Sequence, residues 1–336
     1  MDKSLIDFIY EKAAANPQRI VFPEATDEKI LLAVRKAMDL GVFKPLLLGN
    51  PVEITAAAKG FGISLEGAEL VDAGDEAWLD NLIESYCAEN PMNTAKSMKR
   101  KAAENLLYPA LMMVGTGDAD TMCGGFTHSS RDFHVAAVTL LGMEEGIDTI
   151  SSVLVADIPN FNGSEGHWII FGDCAVCANP TSEQLAGIAI CTCDMAKKLL
   201  GWEPRCALTS YSTIGSGAGA EPVDKVVEAV RIAQERRPDL AIDGEFQFDA
   251  AVNEMIAAKK VNRESRVAGR ANIVILPNLD TGNIGVKMIQ AFSGGLDCYI
   301  VMMGLKKTVT DCSRSSSVME IVGNASVACI LAQERG

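Results

Sequence analysis

The sequence predicts an α/β protein of two domains built on mainly parallel sheet, and three observations predict it. Short apolar runs alternate with helix-length amphipathic segments along almost the whole chain, the pattern of strands joined by crossover helices. At 336 residues the chain is longer than one hydrophobic core usually spans, and 48% apolar residues supply material for two. The alternation breaks once, at residues 149–176, where TISSVLVADI and HWIIFGDCAV flank NFNGSEG. That stretch reads as an antiparallel hairpin and marks a domain boundary.

Before the break, strands are expected at RIVF (19–22), KPLLLG (44–49), AELVDA (68–73) and ADTMC (119–123), with helices between them. After it the pattern resumes with RCALTSYS, the helix PVDKVVEAVRIAQERR, LAIDGE, the helix FDAAVNEMIAAKK, ANIVILPN, a helix from about Thr281, and DCYIVMMG. A final helix, roughly Ser316 to Gln333, carries Val318, Ile321, Val322, Ala325, Val327 and Ala328 at positions suited to packing on a sheet. The N-terminal MDKSLIDFIYEKAAANPQR is an amphipathic helix bearing acids, unlike a signal sequence, and no run of about 18 uninterrupted apolar residues occurs. A soluble, cytoplasmic protein is expected.

A net charge of −14 opposes general binding to nucleic acid or to a membrane surface, because both polyanions are repelled at long range. A small anion remains compatible wherever a few basic or backbone N–H groups converge. Of the ten cysteines, Cys174 and Cys177 form a CxxC that Cys191 and Cys193 follow. The second pair lies in the helical pattern SEQLAGIAICTCDMAKKLL, where residues two apart face different ways and cannot both grip one ion. Buried, reduced thiols are expected, with no metal site.

Gly215, Gly217 and Ala220 in STIGSGAGA satisfy GxGxxA between a strand and a helix, and Asp243 closes the next strand, as in a dinucleotide fingerprint. Glu221 and Pro222 oppose that reading. Pro belongs at the start of a helix, so the helix begins late, with a carboxylate at the end where a diphosphate would sit. The loop is instead expected to form a nest for a smaller oxyanion, from the hydroxyls of Ser212, Thr213 and Ser216 and N–H groups around Gly215. A turn shaped only by backbone geometry is the alternative.

Several segments together resemble the phosphate acetyl/butyryl transferase family: GDADTMCGG (117–125), DCAVCANPTSEQLA (173–186), SYSTIGSGAG (210–219), DGEFQFDAA (243–251), LPNLDTGNIGVK (276–287) and the SR pair of TDCSRSSSVMEI (310–321). They span most of the chain in the family's order. The resemblance implies two α/β domains of the isocitrate/isopropylmalate dehydrogenase-like kind with an active site in the cleft between them. It implies a first domain of residues 1–148 plus 303–336, completed by the returning C-terminal helix, and an inserted, dimerising second domain of residues 149–302. It also implies a homodimer and reversible acyl transfer between coenzyme A and inorganic phosphate, acetyl being the expected acyl group. Coenzyme A is then a substrate, and no tightly bound cofactor or metal is needed.

By the same resemblance the catalytic residues are Ser313, Arg314 and Glu320. A thiol of pKa about 8.5 is only a few per cent ionised at neutral pH, so a carboxylate such as Glu320 that accepts its proton assists attack. Arg314 offers a planar fork for phosphate or for the acyl oxygen, and Ser313 can orient the thiol or hydrogen-bond the carbonyl. A local reading of Glu320 stays open, because Ser317 and Glu320 fit the SxxE capping box of a helix start. Ser129, Ser130 and Arg131, in the turn after ADTMC, are expected to bind substrate near the phosphate. Asn283 is a donor to the same oxyanion or an ordinary helix-start residue. His128 and His134 read as hydrogen-bonded structural histidines, Asp243 and Glu245 as strand-end turn residues, and Lys96, Lys99, Arg100 and Lys101 as a solvated helix face or a contact for coenzyme A phosphates.

The sequence also departs from the family pattern. Its ending is TDCSRS where members resemble NDLSRG, so Ser315 replaces a glycine. Val135 stands where an arginine is usual, with Arg131 and His134 nearby. CAENP (87–91) replaces a basic stretch, and YIVMMG, with Tyr299, Ile300 and Met303, lacks the family's glycine-proline and glutamine. Three alternatives are therefore carried: another acyl chain length such as butyryl, an NAD(P)-dependent dehydrogenase, and a non-catalytic acyl-coenzyme A sensor.

Overall fold

The computed structural model describes residues 4–293 and 297–333. Its strands are β1 (Arg19–Phe22), β2 (Lys44–Gly49), β3 (Glu69–Asp72), β4 (Thr121–Gly124), β5 (Ser151–Asp157), β6 (Trp168–Gly172), β7 (Arg205–Thr209), β8 (Ala241–Phe246), β9 (Ile273–Ile275), β10 (Asp297–Met303) and β11 (Val309–Asp311). The chain divides into two compact units, one of Ile6–Gly142 with Leu305 onward, the other of Met143–Gly304 with the start of the chain to Leu5. The breaks thus fall at Gly142/Met143 and Gly304/Leu305, against expected boundaries at 148/149 and 302/303. Gly142 and Gly304 both have positive φ, 73° and 88°. At Gly304 a side chain is also excluded by space, since a Cβ would lie 2.6 Å from the Thr149 carbonyl.

The first unit holds a five-stranded sheet in the order β11-β4-β1-β2-β3, parallel throughout. Strands covered on both faces read as continuous apolar runs, and all but the first residue of RIVF and of KPLLLG are buried. The helices around the sheet start and stop where the sequence supplies caps. Asp27 accepts from the N–H of Lys29 and Ile30 at the start of Glu28–Leu40, and Gly41 ends that helix at φ 67°. The C-terminal helix Val318–Ala332 starts on the expected capping box of Ser317 and Glu320 and is buried from Ile321 to Leu331.

The second unit holds a six-stranded sheet in the order β10-β5-β6-β9-β7-β8. β5 and β6 form the hairpin expected around NFNGSEG, antiparallel with Leu154 opposite Phe171, and Gly163 and Gly166 bridge its tip. β10, expected to continue the parallel pattern, instead runs antiparallel along β5, while β6, β9, β7 and β8 are mutually parallel. The helix Ser182–Leu200 begins on a capping box of Thr181 and Gln184 and buries Cys191 and Cys193. All ten cysteines are free thiols. Burial pushes the Cys174, Cys206 and Cys329 thiols well above the ordinary range, and the contact with Cys312, with burial second, does the same to Cys123. Among the described residues no His, Cys, Asp or Glu cluster has metal-binding geometry, and no helix is long and apolar enough to cross a membrane.

Candidate active site

In the first unit β1 leads to β2 and β3 on one side, and the chain then returns to place β4 on the other side of β1. Ligands of parallel α/β sheets bind outside the carboxyl ends of the strands at such a reversal. Three loops leave that edge: Pro23–Thr26 after β1, Gly125–Ser129 after β4, and Cys312–Ser317 after β11. Gly125 turns sharply, at φ 104°, and a Cβ there would collide with the Asp311 carboxylate, so only glycine lets the two loops approach.

The β4 loop ends in the N-cap of the helix Ser130–Leu141. Ser129 Oγ accepts from the Asp132 N–H at 3.1 Å and donates to Asp132 Oδ2 at 2.7 Å. Ser130 and Arg131 follow in the first turn, both exposed, and among the described residues the Arg131 guanidinium has no ion-pair or hydrogen-bond partner. His128 contacts Asn105 and Thr127, and His134 Nε2 lies 3.5 Å from Asp311 Oδ2, so both histidines sit in local contacts as expected of structural ones.

After β11, Ser313 and Ser315 pair through their hydroxyls at 2.9 Å, and the Ser315 N–H donates to Ser313 Oγ. Lys29 Nζ donates to the Arg314 carbonyl at 2.9 Å and the Ser316 carbonyl at 3.2 Å, pinning the turn from below. The exposed Arg314 guanidinium has no partner among the described residues. Glu320 completes the capping box: Oε2 accepts from the Ser317 N–H at 2.6 Å, and its own N–H donates to Ser317 Oγ at 3.2 Å. Among the described residues Oε1 accepts no hydrogen bond. β4 and β11 are hydrogen-bonded neighbours, with Asp311 opposite Gly124. Arg314, on the loop after β11, and Arg131, in the helix turn that follows the β4 loop, therefore come after the same ends of adjacent strands.

The second unit also gathers polar groups where its parallel strands end, but commits many of them internally. Ser212, fully buried, donates to Glu245 Oε1 at 2.6 Å, and the Gly215 N–H donates to the same oxygen at 2.8 Å. Ser212 Oγ in turn accepts from the Gly217 N–H, Ser216 Oγ from the Thr213 N–H, and Thr213 Oγ1 from the Gln247 N–H. Of the residues expected to form an oxyanion nest, Ser212 and the Gly215 N–H are engaged by the carboxylate of Glu245, 3% exposed, while Thr213 bonds Gln247 and Ser216 bonds within the loop. Asp243 is likewise occupied, paired with Arg263 through both oxygens and accepting from Ser265. Asn283 donates from Nδ2 to the Cys174 carbonyl at 3.3 Å while remaining exposed. The buried Asp173 carboxylate draws in the N–H groups of Ala175, Val176 and Cys177, which shapes the CxxC turn.

A family model described as Phosphate acetyl/butaryl transferase matches residues 4–329. The chain belongs to this family. It is 35% identical over 332 residues to the phosphate acetyltransferase of Clostridium acetobutylicum, covering 98% of each chain, and 35% identical to that of Bacillus subtilis, covering 94% of this chain and 95% of that one. A phosphotransacetylase from Streptococcus pyogenes superposes with a TM-score of 0.89 at 33% identity, over 99% of this chain and 100% of that one. A putative 4-hydroxythreonine-4-phosphate dehydrogenase from Salmonella typhimurium, 11% identical with a TM-score of 0.57, relates the fold to the dehydrogenase-like class. It covers 94% of this chain and 99% of its own.

In this member of the phosphate acetyl/butaryl transferase family, the structure brings Ser129, Ser130, Arg131, Ser313, Arg314 and Glu320 to one sheet edge of one unit. It places Ser212, Thr213, Gly215, Ser216 and Asn283 in the other. Sequence reasoning missed Glu24, Lys29 and Asp311. Glu24 is 8% exposed and accepts from both the N–H and the hydroxyl of Thr127. Its signal was present as Pro-Glu closing RIVF just before the Asp27 cap, a strand end at the reversal. Lys29 carried no signal, since a lysine in the first turn of a helix reads as solvated.

Proposed function

We propose that this chain is a phosphate acetyltransferase, which moves an acetyl group reversibly between coenzyme A and inorganic phosphate. The observation that carries this is the pair of guanidinium groups without partners among the described residues, Arg131 and Arg314, just beyond the ends of adjacent strands within a match spanning nearly the whole chain. Both are exposed and neither is neutralised by a carboxylate of the chain, so each is free to pair with an anion from solution. In the direction of thioester synthesis the coenzyme A sulfur attacks the acetyl phosphate carbonyl and the C–S bond forms. The C–O bond to phosphorus then breaks and phosphate leaves with the electron pair. Glu320 takes the thiol proton on Oε1, the oxygen not used in the cap, and Ser313 orients the sulfur or the carbonyl. Arg314 neutralises the developing oxyanion or the leaving phosphate. Ser129, Ser130 and Arg131 bind the phosphate, assisted by the N-terminal end of the helix they open. In the second unit Asn283 is a further substrate-binding candidate. In that unit too, the glycine loop, stapled by Glu245, presents Gly215 and Ser216 as substrate-binding candidates while Ser212 and Thr213 hold the loop from inside. Coenzyme A is a substrate and the chemistry uses no resident cofactor. The enzyme works in the cytoplasm as a homodimer formed through the second unit.

The test is phosphate- or arsenate-dependent consumption of acetyl, propionyl and butyryl coenzyme A by wild type and Arg314→Ala. Acetyl consumption is expected, with a loss of about 2 kcal/mol of transition-state stabilisation in the variant, the scale of one oxyanion donor. Wild-type turnover in Arg314→Ala overturns the assignment. Coenzyme A binding without phosphate-dependent turnover in the wild type makes the chain a sensor instead.

A further inference from the structure

Glu24 closes β1 at the reversal of the first sheet, beside the strand that carries the proposed phosphate-binding turn. Oε1 accepts from the Thr127 N–H at 2.6 Å and from the Thr127 hydroxyl at 2.9 Å. Both are hydrogen bonds to a carboxylate and so stronger than the neutral bonds of an ordinary turn. Glu24 accepts only, so the Thr127 hydrogen points to it, leaving the hydroxyl oxygen to accept from His128 Nε2 at 3.2 Å. His128 Nδ1 is then the acceptor for Asn105 Nδ2 at 3.4 Å. Every donor from Asn105 through His128 and Thr127 to Glu24 finds an acceptor in one direction. The strand end is closely filled: a Cβ on Gly124 would lie 3.3 Å from the Pro23 ring and 3.6 Å from Glu24 Oε2.

Glu24 Oε2 is buried and accepts no hydrogen bond among the described residues. Buried polar atoms are seldom left unpaired, and a carboxylate retained for stability alone is expected to have both oxygens satisfied. What Glu24 does accomplish is to hold both hydrogen-bond donors of Thr127, the residue from which His128, Ser129, Ser130 and Arg131 lead into the helix Ser130–Leu141. We infer that Glu24 is a positioning residue for phosphate: through Thr127 it fixes the Ser129–Arg131 turn against the end of β1, without touching substrate itself. This rests on the phosphate acetyltransferase reading of the same site.

The test measures KM for phosphate and for acetyl coenzyme A separately in wild type, Glu24→Ala, Glu24→Gln and Thr127→Val, with calorimetric titration of inorganic phosphate alongside. Glu24→Ala is expected to raise the phosphate KM at least ~10-fold and to leave the acetyl coenzyme A KM within about twofold, the split of a mispositioned binding turn. Glu24→Gln, whose amide oxygen still accepts from Thr127, is expected to stay within about threefold of wild type, and Thr127→Val to fall between. A phosphate KM unchanged in folded Glu24→Ala, both KM values rising together, or Glu24→Gln as damaged as Glu24→Ala overturns the assignment. If Glu24→Ala does not fold by circular dichroism, Thr127→Val decides, and an unchanged phosphate KM there overturns it. A wild type that makes no acetyl phosphate defeats the proposed activity alone. Calorimetry then still decides the positioning role: weaker phosphate binding in Thr127→Val supports it, and equal binding or none in the wild type sinks it.

Discussion

The Ser212 hydroxyl donates to Glu245 Oε1 at 2.6 Å, and through that bond a loop with a dinucleotide-like glycine spacing is closed on a carboxylate of its own chain. Glu245 is buried and also holds the Gly215 N–H. Ser212→Ala leaves the carboxylate with one donor fewer in a site that water does not reach, so a loss of about 1–3 kcal/mol in unfolding free energy is expected by urea titration. The same arrangement repels a diphosphate, and NADH fluorescence titration is expected to show no saturable binding. Saturable binding in the wild type would revive the dehydrogenase reading.

On the proposed mechanism the two duties of Glu320 are separable, because each falls to a different oxygen. Oε2 caps the last helix and Oε1 is the proposed proton acceptor. Glu320→Gln keeps an amide oxygen for the Ser317 N–H and loses basicity, so turnover is expected to drop ~10²–10⁴-fold while the melting temperature changes little. Ser317→Ala does the reverse: a cap lost, about 0.5–2 kcal/mol of stability, and turnover kept. If Glu320→Gln retains full turnover, the carboxylate is a cap and nothing more.

These two cases also show what a linear sequence discloses. The Ser317–Glu320 box was legible because both partners lie within one turn, where spacing alone decides contact. Strand positions were legible for a related reason: RIVF and KPLLLG are buried on both faces and need no partner to be recognised. The partner of the glycine loop was not legible, since Glu245 lies about thirty residues beyond Gly215 and is brought to it only by the pairing of β7 with β8. The direction of β10 escaped for the same reason, because an apolar run such as YIVMM reads alike beside a parallel or an antiparallel neighbour. Glu24 needed both the reversal of strand order and the contact with Thr127, neither of which is a local property.

Tyr86 gives the first unit a pH dependence whose sign is fixed by burial. Its ring is fully buried and its hydroxyl donates to the Leu140 carbonyl at 2.8 Å. Burial, with a smaller contribution from Cys87, pushes the phenol up to about 12 from an ordinary value of 10.0. Because the folded value is the higher one, the neutral phenol is favoured by folding. Its stabilisation is complete below pH 10 and is lost as pH rises from there through about 12. Urea midpoints in wild type are expected to fall over that window, on the order of 2 kcal/mol in all. In Tyr86→Phe the alkaline fall is expected to shrink, with about 1 kcal/mol already lost at neutral pH. An equal alkaline loss in both proteins would assign the dependence to other groups.

Lys29 tests whether the arginine turn must be held or merely be present. Its ammonium reaches the carbonyls of Arg314 and Ser316, so a charge on the helix Glu28–Leu40 fixes the backbone of the β11 loop without offering its own charge to a ligand. Removing it leaves two carbonyls to find water, which a loop with exposed residues can supply at little cost in stability. The geometry of the guanidinium suffers instead, since an anion clamp displaced by an ångström forfeits much of its effect on the transition state. Lys29→Met is therefore expected to lower kcat/KM about tenfold with a melting temperature close to wild type. Lys29→Arg, able to reach the same carbonyls, is expected to recover most of the loss. Full activity in Lys29→Met would mean that the turn keeps its shape through the Ser313–Ser315 contact alone.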